Sequence, residues 1–291
     1  MTLADALDRF LVQLHADGRS RHTVGQYRRH VAALTRWLAA SGQLAEAGAL
    51  DHETIAGFLA SAAARSRPDG AGKKATSVNA LRTSLRVFCA YLHRAGHVAQ
   101  DPGRLVKRAL CAGGPPKALS PEEQGRFLAT LAAASGPEAG RDHALFHLML
   151  GSGIRLSAAL GLDVEHLDLA AGEATIRTKG DRTERVFLGK ELCDHLRRFV
   201  GDRTAGPLFT AGAGGRRVSN RHIQRRFAQW LEKAGVKRAL SPHSMRHRFA
   251  LDLYGRTGDV LLVKEALHHR SIASTMVYAR ASTERLKAAL A

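Results

Sequence analysis

Cysteine is scarce in this chain: Cys89, Cys111 and Cys193 are three residues in 291, far apart in sequence. They offer neither the paired spacing of a zinc site nor a disulfide framework, which fits a reducing compartment. Long apolar runs are missing too, so no segment is expected to span a bilayer. The opening MTLADALDRF lacks the basic-then-apolar order of a secretion signal. The expectation is a soluble, intracellular protein with no membrane partner. Internal repeats and low-complexity tracts are absent. So is a phosphate-cradling P-loop, because GSGIRLS has no lysine where such a loop requires one. Acidic residues also run short, 26 against 44 lysines and arginines.

That imbalance leaves a net charge of +18, and a balance this basic points to a polyanionic partner, most often nucleic acid. Most of the cations are arginine, whose planar fork grips phosphate at two points. They are spread along the chain, which favours a broad groove-shaped contact over a disordered arm. Apolar residues make up 45%, enough for a packed core, and the length suits two ordinary domains.

The first hundred residues read as a four-helix unit. Val24, Tyr27, Val31, Leu34 and Leu38 recur at three- and four-residue steps, one helical face. Val78, Leu81, Leu85, Phe88 and Leu92 repeat the pattern, with Gly96 placed to end that helix. Shorter apolar helices fit Leu3–Leu14 and His52–Ala64. Arg82 and Arg86 stand one turn apart on the helix Ser77–Ala95, away from its apolar stripe, with Lys73 and Lys74 just before it. They read either as a solvated face or as a DNA-binding one. Between about Asp101 and Leu119, "DPG" and "CAGGPPKAL" carry turn and linker residues, so the expected domains are 1–108 and 115–291. The second opens with Ser120 as a cap, Pro121 at the first helical position and Glu123 completing a capping box. It reads as mostly helical, except that "EATIRT" and "RTERVFL" form a hairpin around "KGD". The fold class is therefore mainly α with a small β-hairpin, an α+β second domain.

Four fragments carry chemistry. "GSGIRLSAALGL" holds Arg155 after a glycine pair, and "TKGDRTERV" holds Lys179 in a tight turn. "SPHSMRHRFA" has a serine-proline helix start, and it puts His243, Arg246 and His247 at i, i+3 and i+4, on one face. "ALHHRSIASTMVYARAS" holds His269, with Tyr278 nine residues on. Taken singly, Arg155 reads as a surface arginine and Lys179 as a solvated turn residue. A histidine pair at i, i+4 can bind zinc. Here Ser244 follows His243, so the metalloprotease glutamate is missing, and no carboxylate or cysteine cluster supports a site. No metal and no cofactor are expected.

As an ordered set, the fragments "SGIRLS", "TKG", "HSMRH", "LHHRS" and "MVYA" resemble the tyrosine recombinase (phage integrase) family, and the chain's length and close resemble its Xer branch. The resemblance covers essentially the whole chain. It implies a helical N-terminal core-binding, SAM-like domain and a catalytic domain that together form a DNA clamp. Two positions depart from the family pattern. His268 stands where a glycine usually precedes the histidine, and Ala158 stands where an acidic residue often follows the first arginine by three positions.

A DNA phosphodiester is a poor electrophile, and breaking it without metal needs a nucleophile, charge neutralisation at two nonbridging oxygens and a proton for the leaving oxygen. The resemblance implies Tyr278 as nucleophile, Arg155 and Arg246 as phosphate forks, His269 as a further donor, His243 as general base and Lys179 as general acid. His247 is expected to pack and hydrogen-bond inside the domain. The resemblance also implies double-stranded DNA with paired inverted half-sites as partner and a homo-tetramer, or a hetero-tetramer with a related recombinase. A Holliday junction joins the two strand exchanges, and the protein works in the cytoplasm at the nucleoid. The closing "ERLKAALA" is read as a short helix that docks on a neighbouring subunit or packs locally. Two rivals share the fold: an architectural DNA-binding protein without turnover, and an enzyme that relaxes DNA as type IB topoisomerases do.

Overall fold

Thr2 and Asp5 close a capping box, each side chain bonded to the other's backbone, and this starts helix α1 (Leu3–Ala16) in the computed structural model. The structure describes residues 1–111, 114–178, 182–212 and 215–280. The chain divides into two units, Met1–Gly113 and Gly114–Ala291.

In the first unit, α1 packs with α2 (Arg21–Ala40), α3 (His52–Ala60), the single turn α4 (Ala62–Arg65) and α5 (Ala75–Arg94). The apolar stripes point inward as their spacing predicts. Val24, Val31, Leu34 and Leu38 of α2 are buried against Leu81, Leu85, Phe88 and Leu92 of α5. Phe10 anchors the core, its ring 5.4 Å from both Tyr27 and Phe88. The helix expected over His52–Ala64 is interrupted at Ser61. That residue is extended (φ −71°, ψ 160°), and its hydroxyl donates to the carbonyl of Phe58 at 2.7 Å. A short hydroxyl side chain that bonds nearby backbone competes with the helix, and here it wins.

The second unit holds α6 (Pro121–Ala132), α7 (Pro137–Ser152), the short α8 (Leu156–Leu160), strands β1 (Leu167–Asp168), β2 (Glu173–Thr178) and β3 (Arg182–Phe187), then α9 (Lys190–Val200), α10 (Asn220–Lys233), α11 (His243–Thr257), α12 (Val260–Ala266) and α13 (Met276–Arg280). The strands form one antiparallel sheet in the order β1-β2-β3. The two predicted strands are there. The added β1 and α8 are too short to leave a periodic signal in sequence. The Ser120–Glu123 capping box forms as read, with Glu123 also ion-paired to Arg238. Phe127, Phe146 and Phe227 meet at 5.4–5.5 Å in the core. Beside them the fully buried Asp142 accepts from Arg141, Arg226 and the indole N–H of Trp230. A carboxylate taken out of water needs such a set of donors.

Register sets what the sheet presents. Ala174 pairs with Val186 and Ile176 with Glu184, so Glu184 lies on the same face as the buried Ile176 and Val186. This aims an acidic side chain inward, toward α11 and the His268–His269 segment.

Candidate active site

The site is built from chain reversals around α11. Helix α7 ends at Gly153, which is left-handed (φ 65°). A Cβ there would lie 2.4 Å from a ring carbon of Phe249 and 2.9 Å from Leu267, so both conformation and space require glycine. The turn throws Arg155 to the exposed start of α8. The carbonyl of Gly153 points the other way and accepts from Nη1 of Arg246 at 2.6 Å. One turn thus presents the first arginine and holds the second.

Arg246 is 2% exposed. Its Nη2 donates to the carbonyl of Leu267 at 2.5 Å, and its Nε has no hydrogen-bond partner among the described residues. Burial, then the charge of Arg155, lowers its pKa to about 10, while Tyr278 and Glu184 act to raise it. It stays protonated at neutral pH. Arg155 acts likewise on His243 and His269, which sets both guanidiniums and both histidines in one neighbourhood.

The start of α11 differs in detail from the expectation. Ser241 makes no side-chain cap. Pro242 is helical (φ −51°, ψ −24°), and the amides of Ser244 and Met245 turn back onto the carbonyls of Ser241 and Pro242 at 2.8 and 3.2 Å. Tight three-residue turns satisfy the first free amides, so the hydroxyl is not needed. His243, Arg246 and His247 do share a face. The rings of His243 and His247 meet edge to face at 4.6 Å. Burial first, then His247 and the two arginines, pushes His243 down to about 4. It is neutral at physiological pH even though the residue is exposed.

Tyr278, on α13, is 2% exposed. Its hydroxyl lies 2.9 Å from Nδ1 of His247. Burial raises the phenol pKa and Arg246 opposes that rise. His269 is hydrogen-bonded through Nδ1 to the hydroxyl of Thr275 at 2.9 Å, and burial beside Arg246 and Arg155 brings it down to about 4. His268 carries a positive φ of 49°, and its Nδ1 lies 3.4 Å from Glu184. The left-handed backbone accounts for the glycine seen there in the family pattern. Ala158 is half-buried against the core.

Four of the other five candidates, Arg155, His243, His269 and Tyr278, therefore lie near Arg246. Lys179 and the "ERLKAALA" segment lie outside the described residues. The sequence places His247 inside the domain but does not indicate its contact with Tyr278. The only signal was its place next to Arg246 on α11. In the first unit, Lys73 donates to the carbonyls of Ala63 and Ala64 at 3.0 and 3.1 Å, and Arg82 to Asn79 at 3.1 Å. Lys74 and Arg86 are exposed.

Residues 117–285 match the phage integrase family, and residues 7–96 match the phage integrase N-terminal SAM-like domain. The chain belongs to the phage integrase family and is a tyrosine recombinase of the Xer type. It is 33% identical over 276 residues to tyrosine recombinase XerC of Neisseria meningitidis serogroup C, spanning 94% of this chain and 90% of that protein. It is 32% identical over 292 residues to tyrosine recombinase XerC of Serratia marcescens, spanning 98% and 93%. Its fold resembles that of XerH recombinase bound to palindromic difH substrate in a post-cleavage complex (TM-score 0.74, 20% identity, 98% of this chain and 83% of that one). It also resembles a lambda integrase(75-356) dimer bound to a COC′ core site (TM-score 0.73, 18% identity, 94% and 96%). None of the described helices is long and apolar enough to cross a membrane.

Proposed function

We propose that this chain cuts and rejoins two specific DNA duplexes, with Tyr278 attacking phosphorus to leave a 3′-phosphotyrosyl link and a free 5′ hydroxyl. The observation that carries the reading is Arg246. A buried guanidinium whose hydrogen bonds go to carbonyls, with Nε unspent and a second guanidinium nearby, is set up to receive an anion beside a phenol. Arg155 and Arg246 hold the nonbridging oxygens, and His269, oriented by Thr275, adds a donor. The resemblance gives the phenol proton to His243, with His247, which touches the Tyr278 hydroxyl, as the other imidazole beside it, and Lys179 supplies a proton to the 5′ oxygen. The ester keeps the bond energy, so rejoining needs no ATP.

In this reading the partner is duplex DNA with paired inverted half-sites, contacted by both domains, 1–108 and 115–291. Four protomers act through a Holliday junction, alone or with a related recombinase, in the cytoplasm at the nucleoid. Lys74 and Arg86, with Lys73 and Arg82 behind them, supply part of the phosphate contact. The test is a supercoiled plasmid with two copies of a duplex site enriched by the protein from a random pool, in EDTA and without ATP. Resolved circles are expected. Relaxation of a plasmid lacking the site, or binding with no strand exchange, contradicts the proposal.

A further inference from the structure

We propose that His247 is a further catalytic residue: its Nδ1 accepts the phenol proton of Tyr278 as the tyrosine attacks phosphorus. This rests on the strand-cutting reading above and says which side chain of α11 touches the nucleophile. Three observations carry it. Nδ1 of His247 and the hydroxyl of Tyr278 are 2.9 Å apart, within hydrogen-bond reach of a proton to be moved. The phenol is buried, so water is poorly placed to take that proton. His243 meets His247 edge to face at 4.6 Å and flanks the pair.

The groups that face His247 set its basicity. On its own helix are His243 and Arg246, from α13 comes Tyr278, from the turn after α12 comes His269, and Lys117 is the charged residue lining the cavity that His243, His247 and Val277 share with Pro115 and Pro116. Burial and then Arg246 lower its pKa, which favours the neutral ring that can accept a proton. A phosphate seated on Arg246 offsets that positive charge, so His247 becomes a better base when substrate is in place. In the step, the Oη–P bond forms, the P–O5′ bond breaks, the phenol proton passes to Nδ1, and Lys179 protonates O5′. In rejoining, the 5′ hydroxyl attacks phosphorus and returns its proton to Lys179. The departing Oη takes its own proton back from the imidazolium.

The test is single-turnover formation of the covalent adduct on a nicked duplex enriched by the protein, followed across pH 5–9. His247→Gln keeps a hydrogen-bonding group but cannot take the proton. It is expected to slow adduct formation by about a hundredfold or more, to bind the duplex nearly as well, and to lose the fall in rate that the unsubstituted protein shows on acidification. A rate within threefold and an unchanged pH profile would overturn the inference. If His247→Gln does not fold, carbon-13 labelling of tyrosine in the unsubstituted protein decides. The Tyr278 signal, assigned by its loss in Tyr278→Phe, should shift as His247 protonates below pH 6.5, and a signal blind to that range overturns the inference. No adduct from the unsubstituted protein, or one that survives in Tyr278→Phe, overturns the strand-cutting reading itself and this inference with it. A normal adduct that His247→Gln leaves unchanged overturns only the role of His247.

Discussion

Arg246 carries a charge into a place where charge is costly, and the carbonyls of Gly153 and Leu267 offset part of that cost. Arg246→Ala is expected to slow strand cleavage by about a hundredfold or more, while weakening DNA binding far less. Rates on a nicked duplex beside mobility-shift affinities check this, and equal losses would mark an ordinary backbone contact. Gly153 gives a second test. Gly153→Ala forces a Cβ into Phe249 at a left-handed residue, so unfolding in urea should show a loss of about 1–3 kcal/mol. His268 offers the reverse. His268→Gly removes the cost of a positive φ, and should leave stability unchanged or raise it by up to about 1 kcal/mol. A larger loss would show that the Glu184 contact dominates. At this scale the order of the fragments was legible as proximity: Arg155, His243, Arg246, His269 and Tyr278, far apart in sequence, lie in one neighbourhood. The contact of His247 with Tyr278 was not legible. It joins residues 31 positions apart, and no spacing rule reports which ring meets which hydroxyl.

Between elements, α7 and α9 bring His143, His147 and His195 together with ring centroids 4.5–4.7 Å apart. Burial leads the causes that lower all three, His147 to about 4, with the rings' mutual repulsion and Arg198 adding to it. An imidazole that binds its proton less readily when folded leaves the extra protons to the unfolded chain. Stability is therefore whole above pH 6.5 and drains as pH falls toward 4. Urea midpoints between pH 7 and 4.5 should show that decline, and His147→Leu should flatten it. An equal decline in the variant would place the effect elsewhere, for instance at His243 and His269. Amphipathic stripes made α2 and α5 readable, and β-rich runs around a turn did the same for β2 and β3, because burying one face is what the elements do for the fold. Ser61, Ser241 and the two-residue β1 were not readable, because they are settled by local bonds worth about 1 kcal/mol that periodicity does not record.

For the molecule as a whole, charge is the leading property. From a net +18, affinity for duplex DNA is expected to fall at least about a thousandfold between 50 and 200 mM salt. A flat profile in titration would contradict a groove-shaped electrostatic contact. The most direct measurement is denaturing electrophoresis of the protein incubated with a nicked duplex, followed by mapping of the modified peptide. The account predicts a denaturation-resistant adduct on Tyr278, formed in EDTA and absent in Tyr278→Phe. An adduct on another residue, or a duplex that is bound and never covalently attached, would contradict it.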